Sequence, residues 1–173
     1  MTENKINNEA VKNYFTKLQT DIINAVEIVD GKNFLVDSWQ RAEGGGGTTC
    51  ILENGNIFER AGIGFSHVVG SQLPKSATDA HPEITDSNWE ATGVSLVFHP
   101  KNPYIPTVHM NVRFFVAKKN NKNVWWFGGG MDLTPYYGFD EDAIHFHKTI
   151  QTALNPFGED LYPEFKKNCD KYF

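Results

Sequence analysis

The run Pro106-Thr107-Val108-His109-Met110-Asn111-Val112-Arg113-Phe114-Phe115 holds the densest chemistry in the sequence. Read as a β-strand, it alternates. Val108, Met110, Val112 and Phe114 point one way, and His109, Asn111 and Arg113 point the other. The apolar set makes a core face. The polar set combines a group that titrates near neutrality, an amide and a permanent cation. Imidazole moves protons, and guanidinium grips a carboxylate with two parallel hydrogen bonds. The plain alternative is the solvated side of a half-buried sheet.

Other residues can join this row. In a strand over Gly93 to His99, Val94, Leu96 and Phe98 share one face, and Ser95 and His99 share the other. Antiparallel pairing with the His109 strand would gather Ser95, His99, His109, Asn111 and Arg113 on one surface. Asp132 follows a third strand, and a carboxylate accepts several N–H donors at once. His147 lies on a helix that can cover the sheet. Two chemistries compete for this set. His99, His109 and His147 could hold a divalent metal as neutral imidazoles. Their spacings of ten and thirty-eight residues match no local metal motif, so such a site would depend on the fold. The other chemistry is acid–base work on a bound anion, without a cofactor. His67, His81 and His145 read as structural or solvated.

The elements that must position these groups are legible in outline. Asn8 to Asp30 reads as an amphipathic helix, with Val11, Phe15, Leu18, Ile22, Val26 and Val29 inward. Asn7 or Asn8 caps it and Gly31 ends it. Residues 34–39 form a short apolar bridge. Gly44 to Gly47 reads as a loop, as a mobile lid, or as backbone lying flush against a ligand. Thr48 to Leu52 and Ile57 to Arg60 flank Asn54-Gly55 and predict a hairpin. Its second arm resumes through Ile63, Phe65, His67 and Val69. Residues 71–90 read as a polar surface loop. Three prolines stiffen residues 100–106. Asn120 to Asn123 turns the chain into Val124-Trp125-Trp126-Phe127, where the tryptophans read as packing. Gly128 to Asp132 ends that strand. Asp140 caps a helix whose inward stripe is Ala143, Phe146, His147, Ile150 and Leu154, with His145 opposite. Residues 155–158 stop it. A last helix offers Phe165, Cys169, Tyr172 and Phe173 as an apolar face.

The composition narrows the class. The 173 residues suit one domain, and 40% apolar against 21% charged content makes it globular. A net charge of −5 argues against nucleic acid. No apolar run reaches the ~20 residues of a membrane span. Two distant cysteines, Cys50 and Cys169, read as reduced thiols of a cytoplasmic protein.

In order along the chain, the following segments are similar to the oxygen-dependent coproporphyrinogen III oxidase family: Gly44 to Gly47; Phe58-Glu59-Arg60-Ala61-Gly62 with Phe65-Ser66-His67; Ala91 to Leu96; Asn102-Pro103-Tyr104 with Pro106-Thr107; His109-x-Asn111-x-Arg113; Trp125 to Gly130 with Asp132-Leu133-Thr134-Pro135; His145-Phe146-His147; Tyr162-Pro163; and Cys169-Asp170-x-Tyr172-Phe173. The resemblance implies an α+β fold, a large, mostly antiparallel flat sheet flanked by helices on both faces, in a homodimer. It implies oxidative decarboxylation of two propionates of coproporphyrinogen III to vinyl groups by O2, giving protoporphyrinogen IX in haem synthesis. His109 becomes the proton-transfer residue, and Asp132 meets the pyrrole N–H groups. Arg113, with Ser95, Asn111 and Val112, contacts substrate. No cofactor beyond O2 is implied, although a metal through His99, His109 and His147 is the family variant. Family members run well past this point, and Asn168 stands where they carry a tryptophan. The chain thus reads as the N-terminal portion of such a domain. A non-catalytic tetrapyrrole-binding module and a histidine-metal oxygenase are the alternative readings.

Overall fold

The computed structural model describes residues 6–71, 73, 84, 87–119 and 122–172. Within the span read as one domain, the chain divides into two compact units, Met1–Thr134 and Pro135–Phe173. The first unit holds helix α1 (Asn8–Asp30) and strands β1 (Leu35–Gln40), β2 (Gly45–Glu53), β3 (Phe58–Gly70), β4 (Asn88–Pro100), β5 (Thr107–Lys119) and β6 (Lys122–Thr134). The strands form one six-stranded antiparallel sheet in chain order. The second unit holds α2 (Asp140–Leu154), a 3₁₀ turn at Asn155–Phe157 and α3 (Leu161–Tyr172). The architecture is α+β. Among the described residues, no helix is long and apolar enough to cross a membrane.

The ends of α1 follow from local chemistry. The Asn7 side chain accepts the Ala10 N–H at 3.1 Å. Gly31, at φ 77°, takes the left-handed conformation that closes the helix, and its N–H reaches the Glu27 carbonyl. The buried stripe runs through Phe15, Gln19, Val26 and Asp30, at helical spacing. Val29, expected inside, is exposed, because Asp30 takes the inward place. The stripe packs on β3 and β4, over a core that includes Cys50, Leu52, Ile63, Val94, Phe114 and Val116. Each large apolar side chain buried there contributes about 1.5–3 kcal/mol. Among the described residues of this unit, helix α1 covers one face of the sheet.

Two polar residues lock α1 to the sheet. The Gln19 amide donates to the Thr48 carbonyl at 2.9 Å and to the Ile63 carbonyl at 3.0 Å. Asp30, 3% exposed, accepts the backbone N–H groups of Asn56, Ile57 and Phe58, each at 2.9 Å. Burial alone would push this carboxyl up. The three N–H donors and the charge of Lys101 outweigh it and hold Asp30 below the usual carboxylate range.

Several expectations change. Residues 34–39 largely form the edge strand β1. Gly45 to Gly47 lie inside β2, so the glycine run is mostly strand, with a turn before it. β4 begins at Asn88, and Ile84 and Ser87 are buried, although both fall within the stretch read as a surface loop. His81 and most of that stretch lie outside the described residues. Gly128 to Asp132 do not end β6, which runs on to Thr134. Pairing with β5 along this stretch overrides glycine's turn preference. At α2 the cap position is Phe139, and Asp140 supplies acid to the first turn instead. Within the second unit, Phe146, Ile150 and Leu154 are half-buried, whereas Ala143 and His147 are exposed. Phe165, Cys169 and Tyr172 of α3 are exposed rather than packed.

Asp30 therefore sets an acid-sensitive joint. Its folded pKa lies below the unfolded value, so its contribution is full above the unfolded pKa of about 3.9 and fades as pH falls through the folded value. We expect Asp30→Asn, which points an N–H₂ at N–H donors, to cost about 2 kcal/mol at pH 7. The difference between variant and wild type should shrink below about pH 4. Urea unfolding at both pH values checks this, and equal stability at pH 7 would refute it.

Candidate functional site

The site grows out of parity and register. On β5, Phe114 and Val116 point into the core and Val108, Met110 and Val112 pack against it. His109, Asn111 and Arg113 must then face the other way. Pairing extends that face across the sheet, because directly opposed residues share a side. One row reads Gly62, Val97, His109, Asp132. The next reads Gly64, Ser95, Asn111, Gly130, and the third Ser66, Gly93, Arg113, Gly128. Ser95, Asn111 and Arg113 are exposed and His109 is half-exposed.

The closest polar contact on this face joins His109 Nδ1 and Asp132 Oδ1 at 2.7 Å. A carboxylate only accepts, so the imidazole donates from Nδ1, and in the neutral ring Nε2 becomes the acceptor. The Thr134 hydroxyl also approaches Asp132 Oδ1, at 3.4 Å. His99 lies one step along the strand direction. Its Nδ1 is 3.3 Å from the Thr107 hydroxyl, and its ring meets that of His109 edge to face at 6.3 Å. An oriented base, a carboxylate and a cation on one open surface can hold an acidic ligand and take a proton from it.

Most of the predicted set is brought together here: Ser95, His99, His109, Asn111, Arg113 and Asp132 share the face. Val112 does not. Its side chain packs against the core, as the alternation within its own strand requires. His147 belongs to the second unit, where its ring meets those of Phe146 and Tyr162 at 5.6 and 6.2 Å. The first unit thus supplies two of the three imidazoles read as metal ligands. Among the described residues, no three or more His, Cys, Asp or Glu side chains converge on a point that a metal could occupy. His67 lies on the α1 side, 2.8 Å from the Thr92 hydroxyl and 3.8 Å from Glu90. Burial pushes it below its ordinary range despite the pull of Glu90, as suits a structural histidine.

Sequence reasoning missed part of this surface. Trp125 packs in the core as expected, but Trp126 emerges on the site face. There it stacks on Phe115 at 4.6 Å, and Phe115 stacks on Trp89 at 5.7 Å. Counting parity onward from Arg113 would have placed Phe115 on that side. The pairing of Trp126 needed the register.

The Asp132 contact fixes the tautomer of His109. Long-range ¹H–¹⁵N NMR should show neutral His109 protonated at Nδ1, and Asp132→Ala should redistribute the proton toward Nε2. Both side chains are about half exposed, so the variant should keep its stability to within about 0.5 kcal/mol. An unchanged ring spectrum in the variant would show that the contact does not orient the imidazole.

The family model described as coproporphyrinogen III oxidase matches residues 10–173. It spans α1 from Ala10 onward, the whole sheet that carries His109, Asp132 and Arg113, and both later helices. The chain belongs to the coproporphyrinogen III oxidase family, a family of oxidoreductases.

Proposed function

We propose that this sheet face is a substrate surface for the aerobic conversion of coproporphyrinogen III to protoporphyrinogen IX in haem biosynthesis. What carries the reading is the 2.7 Å contact of His109 with Asp132, on the same face as Arg113 two residues along β5. Family membership supports it independently.

The residues divide the work. Arg113 grips a propionate, with Ser95 and Asn111 as shorter hydrogen-bonding partners. Asp132 offers its second oxygen to the pyrrole N–H groups. His109, steadied at Nδ1, presents Nε2 as a base. For each propionate, one C–H bond and the bond to the carboxylate carbon break and a C=C bond forms. CO2 leaves, and the two electrons pass to O2, which takes up the proton from the broken C–H bond and one more from solvent to become hydrogen peroxide. In this scheme the electron-rich pyrrole reduces O2 directly, without an organic cofactor or metal.

Turnover with anaerobically prepared coproporphyrinogen III tests the proposal. His109→Ala should lower kcat by about 10²–10⁴-fold with little change in binding. Arg113→Ala should raise KM by about 10–100-fold. Chelation should leave the rate unchanged. A wild-type protein that binds substrate yet yields no vinyl product and consumes no O2 would leave only a binding role. Loss of turnover on chelation would favour a histidine-metal oxygenase.

A further inference from the structure

The glycines of the sheet differ in what surrounds them. A Cβ at Gly129 would collide with the Asn111 carbonyl, and one at Gly45 with the His67 carbonyl. The protein's own backbone demands those glycines. Gly64 and Gly130 differ, because a Cβ at either would meet nothing within 4 Å. Both sit inside long strands, where glycine weakens the strand and leaves no side chain to pack. Among the described residues, no neighbour accounts for them.

Their place in the register supplies a reason. Both lie in the row Gly64, Ser95, Asn111, Gly130, between the row of His109 and Asp132 and the row of Arg113. Three strand spacings separate them, about 14 Å. Two short polar side chains stand between. Beyond Arg113 the stacked rings of Trp89, Phe115 and Trp126 follow on the same face. The result is a low floor with chemical groups on one side and a cation and aromatic rings on the other.

We propose that Gly64 and Gly130 are specificity-determining positions of this site. They let a broad, flat, carboxylate-bearing macrocycle lie against the backbone while it reaches Asp132 and Arg113 together. A single pyrrole ring is too small to need both. This inference rests on the tetrapyrrole reading above and names the feature that would select ring number.

The test uses Gly64→Val and Gly130→Val, with the alanine variants beside them. Probes are coproporphyrin III and a single pyrrole carrying one propionate, with binding followed by fluorescence and stability by thermal unfolding. The expected result is macrocycle affinity reduced at least about tenfold in the valine variants and less in the alanine variants. Single-pyrrole binding should be unchanged, and Tm equal to or above wild type. Variants that bind the macrocycle like wild type would overturn the inference and leave the functional reading standing. A lowered Tm would also overturn it, by showing that the space serves packing. Failure of wild-type protein to bind the macrocycle would sink the functional reading itself.

Discussion

The alignment of β5 between β4 and β6 is the constraint on which everything else depends. Side chains on a strand alternate, so a slip of one residue would carry His109, Asn111 and Arg113 into the core and bring Met110, Val112 and Phe114 out. The apolar half of β5 prevents that. Phe114 and Val116 are almost fully buried, and the free energy of their burial fixes the register that puts His109 opposite Asp132. Core packing and active-face geometry are thus one decision made on one strand.

The two faces of the sheet are built for different ends. One is sealed by α1 through apolar contact and through buried polar anchors, Gln19 and Asp30. Such groups are stable inside only because their hydrogen bonds are met there. The other carries short side chains, glycines, a few functional groups and, beyond Arg113, the stacked rings of Trp89, Phe115 and Trp126. A side chain held through one oxygen on an open face is easily re-partnered, which suits residues that must exchange a protein contact for a ligand. Asp132 fits that description, with His109 and Thr134 both on Oδ1 and the side chain half-exposed.

The glycine-rich segments show where local reasoning failed and why. Gly44 to Gly47 and Gly128 to Gly130 look like loops by composition, since glycine favours turns and weakens strands. Both runs lie largely within paired strands: β1 and β3 hold the backbone of the first on either side, and β5 holds that of the second along one side. The same blindness hid the buried Ile84 and Ser87 in a polar stretch, and put Val29 rather than Asp30 inside α1. A buried acid is visible only once its three N–H donors are known.

The sequence by itself determined the helix α1 with a start capped at Asn7 or Asn8 and its Gly31 end, the Asn54-Gly55 hairpin, and the polar side of β5. Each is a local matter of capping, turn geometry or period-two alternation. Tertiary structure decided which residues meet across strands: His109 with Asp132, Phe115 with Trp126, and Gly64 and Gly130 in one row with Ser95 and Asn111. Those pairings depend on register, and register is set by burial summed over many strands, which no single stretch of sequence contains.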